Sequence, residues 1–185
     1  MNLPSGPERR LWLRVAGATA LLFASCAANA QGQAHVHGKA KLDIAVETTK
    51  LTILLDSPLD SLLGFERAPR TPAERKQADA MVARLSAADA MFRIDPAAQC
   101  KPGRADLTSS ALKLGTAEPA RADDGHAGIE AAFEFNCVDA RKASFVDVGL
   151  FEFPRMQRLD VQVAGSGRQF KRELKRPAAR IVLAK

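Results

Sequence analysis

Tyrosine is absent from this chain, tryptophan occurs once, at Trp12, and histidine and cysteine occur three times each. The lack of Tyr, and of Trp beyond position 12, argues against the stacking platforms on which single-stranded nucleic acids are bound. The basic residues are spread along the chain, and their one dense patch, "GRQFKRELKRPAAR", alternates with Phe170, Glu173 and Leu174 as a solvated strand edge does. No nucleic-acid partner is expected. There is no CxxC pair, no HExxH and no Ser/His/Asp arrangement, so redox, zinc-protease and serine-hydrolase chemistry all lack their residues and the chain is not expected to be an enzyme. No internal repeat is found, and past the N-terminal region no stretch approaches the roughly 20 apolar residues of a membrane span.

What is present begins with an export signal. Arg9, Arg10 and Arg14 precede the apolar run "VAGATALLFASCAA", and Ala28-Asn29-Ala30 forms a small-x-small cleavage site, so residues 1–30 read as a signal peptide and Gln31 as the mature start. A lipid anchor at Cys26 is the less favoured reading, because Phe23 makes "FASC" a poor lipobox. Losing three arginines and one glutamate with the signal takes the formal charge from +6 to +4, a mild basic excess. Cys100 and Cys137 then remain, an even number in an oxidising compartment, which favours a disulfide over a thiol nucleophile.

Residues 31–185 read as one α+β domain, a mostly antiparallel sheet packed by one principal helix. Ala40, Leu42, Ile44 and Val46 alternate with Lys39, Lys41, Asp43 and Glu47; "ETTK" turns; Leu51, Ile53 and Leu55 run back. This is a β-hairpin. Pro58 ends it, and "LDSLLGFERAPR" reads as an irregular, partly apolar segment. Thr71, Pro72 and Glu74 then form the N-cap, first position and capping-box partner of a helix whose stripe is Ala78, Met81, Val82 and Leu85, ending near residues 86–88. Strands are expected near 104–114, 128–137, 145–153, 159–164, 168–174 and 180–183, with "GSG" at 165–167 a tight turn and a polar loop over 115–128.

The residues able to bind a metal are His35, His37 and His126, with Asp123 and Asp124 beside the last. Extending the alternation of the first strand backwards puts His35 and His37 on its solvent face, about 6.6 Å apart at Cα, a span across which two imidazoles converge on one ion. His126 shares the parity of Glu130 and Glu134 and also faces outwards. Zinc takes about four such nitrogen and oxygen donors when thiolate is absent. An HxH pair near a mature N-terminus is equally compatible with two solvated side chains, and the carboxylates show no pairing beyond that of wet strand faces.

The stretches "AHVHGKAKLDIAVE", "SPLDSLLGFERAPRTPAE" and "C...HAGIEAAFEFNC" resemble the ZrgA-type periplasmic zinc-uptake proteins, over roughly residues 34–183. The most specific matches are Ala34-His35-Val36-His37-Gly38 and Gly64-Phe65-Glu66 followed by Pro69. The resemblance implies a periplasmic protein of Gram-negative bacteria that binds zinc and supports its import with an inner-membrane ABC transporter. It carries zinc binding to His35, His37 and His126 and pairs Cys100 with Cys137. Where relatives have a loop dense in His, Asp and Glu, this chain has only "TAEPARADDGH", which leaves a single site rather than high-capacity loading. The competing expectation is a small periplasmic protein–protein interaction module that docks a partner on its sheet edge without specific metal binding.

Overall fold

Alternation of apolar and polar side chains builds the centre of the molecule. In the computed structural model, which describes residues 37–115, 127–165 and 168–183, β1 (Lys39–Val46) buries Ala40, Leu42 and Ile44, and β2 (Lys50–Pro58) buries Leu51, Ile53 and Leu55. The two strands pair antiparallel through the expected turn, closed by the Glu47 amide on the Lys50 carbonyl at 2.9 Å. On the other side of β2 lies β5 (Gly128–Cys137), whose Ile129, Ala131, Phe133 and Phe135 point inward as their parity requires.

With β4 (Cys100–Thr108), β7 (Arg158–Gly165) and β8 (Arg168–Lys175), these form a six-stranded sheet in the order β4-β5-β2-β1-β7-β8. Every neighbouring pair is antiparallel except β1 with β7, which run parallel from Lys39↔Arg158 to Val46↔Gly165. At the last of these pairs a side chain on Gly165 would sit 2.3 Å from the Val46 carbonyl oxygen, so the approach of the two strands requires glycine there. The basic segment expected to be a solvated edge is indeed the edge strand β8, with only Leu174 buried.

The principal helix α2 (Pro72–Ser86) starts as its sequence requires: Thr71 accepts from the Glu74 amide and Glu74 reaches back to the Thr71 amide. Its Ala78, Met81 and Leu85 join the inward face of the large sheet in one core. A second sheet of three short antiparallel strands, β3 (Phe92–Ile94), β6 (Phe145–Val148) and β9 (Arg180–Val182), closes that core, with the Phe92 and Phe133 rings 4.9 Å apart at 59°. All of it belongs to one compact unit, His35–Lys185, and the architecture is the expected α+β.

Four local expectations are corrected. The "irregular" segment after Pro58 contains a single helical turn, α1 (Leu59–Leu63), buried at all five positions and ended by Gly64 in the left-handed region at φ 87°; one turn is too short to show a period. β4 begins at Cys100 rather than near 104, because an edge strand with a bulge between Pro102 and Ala105 tolerates the Pro102-Gly103 pair that reads as a breaker. Beyond Thr108, residues 109–114 form a turn closed by the Ser109↔Leu114 bridge. β6 stops at Val148 and gives way to a 3₁₀ turn over Gly149–Glu152, while α3 (Ala88–Met91) leads directly into β3.

Candidate metal centre

His37 does not continue the first strand. Gly38 adopts φ 75°, a left-handed conformation that breaks the alternation, so the register that places His37 opposite Gly38 on a strand face does not extend this far back. The turn is fixed from two sides: the Gly38 amide donates to Ser61 Oγ of α1 at 3.1 Å, and its carbonyl accepts from the amides of Gln157 and Arg158 at 2.8 and 3.0 Å. Any side chain at position 38 would come within 3.0 Å of the Arg155 carbonyl oxygen.

The result is an imidazole set between two carboxylates. His37 Nδ1 lies 3.7 Å from Asp60 Oδ2, and Nε2 lies 3.5 Å from Glu66 Oε1. Both distances exceed a good hydrogen bond and are electrostatic contacts. The ring itself is exposed, whereas the Asp60 and Glu66 side chains are buried to 8% and 13% of their full accessibility.

Asp60 is held by Arg155. Nη2 of the guanidinium donates to both carboxylate oxygens at 2.9 and 3.2 Å, and Nε donates to the Asp60 main-chain carbonyl at 3.2 Å. Burying an aspartate is costly unless its charge is paired and hydrogen-bonded, and this fork supplies both. Gly64 lies directly beneath: a side chain there would meet Arg155 Cδ at 3.2 Å.

The loop that carries Glu66 is clamped to α2. Arg67 makes a bidentate pair with Glu74 at 2.7 and 2.8 Å and stacks over the Phe65 ring at 5.0 Å. The Arg67 hydrogen bond, aided by the Arg70 amide, lowers the Glu74 pKa to about 2.

The sequence candidates divide unevenly over this geometry. His35, Asp123, Asp124 and His126 lie outside the described residues, as do the proposed signal peptide over 1–30 and most of the polar loop. His37 is brought together with Asp60 and Glu66, neither of which the sequence reading named as a metal ligand, although Glu66 closes the Gly64-Phe65-Glu66 fingerprint. The available signal was an aspartate inside the apolar turn "LDSLL" and a glutamate behind a glycine in "GFE".

His37 and Ala127, which flank in sequence the stretches that hold His35 and His126, lie at the same end of the sheet. Ala127 offers its carbonyl to the Leu59 amide of α1 at 2.9 Å, and Ser109 Oγ donates to the Gly128 carbonyl at 2.7 Å. The start of β1, the end of β2 and the start of β5 thus share one end, with β1 and β5 on either side of β2. Among the described residues no three His, Cys, Asp or Glu side chains form a group that could by itself hold a metal ion.

Cys100 and Cys137 face each other across β4 and β5 at the opposite end and form a disulfide. Such a bond is compatible with export to an oxidising compartment. No helix among the described residues is long and apolar enough to cross a membrane.

Comparison with known families gives the context for these features. The model of the ZrgA family, described as zinc uptake protein, matches residues 34–183. The chain belongs to the ZrgA family. The match begins beside the His35-His37 motif, runs through the Asp60 and Glu66 segment and both cysteines, and ties the protein to zinc uptake. No curated protein matches the chain.

Proposed function

We propose that this ZrgA-family protein is a periplasmic zinc-binding protein that supports zinc acquisition by an inner-membrane ABC transporter. The observation that carries the reading is the placement of His37, from the family's histidine motif, at the end of the sheet where Ala127, the neighbour of His126, is hydrogen-bonded to α1. In this reading zinc is cargo, taken by His37 with His35, His126 and Asp123 or Asp124, a nitrogen and oxygen donor set that suits it. The protein binds and hands on the ion without catalysing a reaction. The N-terminal signal directs it to the periplasm, where the Cys100–Cys137 disulfide forms.

Calorimetric titration of the metal-stripped mature protein with zinc tests this. A single site of micromolar or tighter affinity is expected, weakened strongly by His35→Ala and His37→Ala and transferable to the transporter's periplasmic component. Equal affinity in the histidine variants, or no heat of binding in the unaltered protein, overturns it.

A further inference from the structure

The ring of His37 has a carboxylate at each nitrogen, and the two carboxylates are not equivalent. Asp60 shares both of its oxygens with the Arg155 guanidinium, so a divalent cation arriving there meets a fixed positive charge about 3 Å from the same oxygens. The Nδ1 side, 3.7 Å from Asp60 Oδ2, is therefore suited to orienting the ring electrostatically rather than to a metal. Metal-ligating histidines commonly donate their second ring N–H to such a carboxylate, which fixes the tautomer and the ring orientation.

With the proton on Nδ1, the nitrogen nearer Asp60, Nε2 carries the lone pair and Glu66 Oε1 lies 3.5 Å from it. Two acceptors at this distance repel until a proton or a metal cation lies between them. Two donors bound at about 2.0 to 2.1 Å to a tetrahedral zinc stand roughly 3.4 Å apart. The Nε2–Oε1 separation of 3.5 Å is close to one edge of a zinc tetrahedron. Glu66 is held in place for it, since its loop is clamped by Arg67 to Glu74 and follows the left-handed Gly64.

We infer that Glu66 is a zinc ligand that shares the ion with Nε2 of His37, and that Asp60, forked by Arg155, is the positioning residue that sets the imidazole through Nδ1. This rests on the reading of this end of the molecule as the zinc site, and it adds a carboxylate from the "GFE" segment to a ligand set otherwise drawn from histidines and the polar loop.

The test uses the full mature chain, stripped of metal, with zinc and cobalt(II) as probes. Glu66→Gln lowers zinc affinity by about 100-fold or more, beyond the range of an outer-shell partner, whereas Asp60→Asn lowers it by about 10- to 100-fold and leaves the pattern of cobalt d–d bands unchanged. Glu66→Cys places a soft thiolate on the ion and gives a thiolate-to-cobalt charge-transfer band in the near ultraviolet that the unaltered protein lacks; this readout stands even if Glu66→Gln fails to fold. Wild-type affinity in Glu66→Gln with no such band in Glu66→Cys, while His37→Ala loses binding, overturns Glu66 as ligand and leaves the zinc site standing. An unaltered protein that takes up neither metal overturns both.

Discussion

The two ends of the large sheet are built by different means. At one end, Cys100 and Cys137 are joined covalently across β4 and β5, and the Cys137 and Ala140 amides bond the Thr49 and Thr48 carbonyls at 2.8 Å. At the other, His37, Asp60 and Glu66 meet among turns, and what holds them is side-chain work: Ser61 on Gly38, Arg155 on Asp60, Arg67 on Glu74. Backbone and covalent ties stabilise the first end. Charged and polar side chains, which a ligand can recruit, shape the second. The separation predicts that stability and zinc affinity respond to different substitutions.

Removing the disulfide should produce the largest change. Cys100→Ser with Cys137→Ser frees a loop with a sequence separation of 37 in the unfolded chain and costs about 4 kcal/mol of stability, with zinc affinity unchanged below the unfolding transition. Chemical denaturation and calorimetry of the double variant check both halves. A parallel loss of zinc affinity in the folded protein would show that the two ends are coupled.

Gly38→Ala makes the converse case. Position 38 has φ 75° and a backbone oxygen 3.0 Å from where a Cβ would lie, so the substitution costs about 1 to 2 kcal/mol and displaces the His37 turn. Zinc affinity should fall about tenfold or more while the disulfide end keeps its hydrogen-exchange protection. A Gly38→Ala protein with full affinity would mean that the turn is not what presents His37.

The smallest expected effect is the share of the acid pH dependence that Glu74 carries at the histidine end. Glu74 has its pKa lowered from 4.5 to about 2 by Arg67, so its contribution to stability is complete above pH 4.5 and is lost as pH falls towards 2. At the other end Cys100 and Cys137 do not titrate, and a carboxylate that does, Asp139, has its pKa lowered by Arg141 and is untouched by a change at Glu74. A Glu74→Gln variant should therefore show a flatter fall in Tm between these limits than the unaltered protein, and a Tm profile identical in the two would remove the clamp from the account.

How much of this was legible in the sequence follows the same division. The β1–β2 hairpin, the parity of β5 and the α2 capping box rest on local alternation and spacing, and all three appear in the structure as read. The family fingerprints were also legible, and the match over residues 34–183 covers them. That Asp60, Glu66 and Arg155 meet at His37 was not, because the meeting is made by long-range geometry: the parallel pairing of β1 with β7 brings Arg155 to Gly38 from more than a hundred residues away. Period-two reasoning also carried the strand back past its start at Lys39 to the histidines, since a glycine in the left-handed region ends a strand without any change in the polarity pattern. The roles proposed for His35 and His126 rest on the family resemblance, and those of Asp123 and Asp124 on their place just before His126 in the sequence.

The central claim is that zinc sits at the histidine end, on His37. Anomalous diffraction at the zinc edge from crystals of the zinc-loaded mature protein tests it most directly. The account predicts one strong peak about 2.0 to 2.1 Å from His37 Nε2, at the end of the sheet that carries α1. A peak elsewhere on the molecule, or none in protein shown to be zinc-loaded in solution, would contradict it.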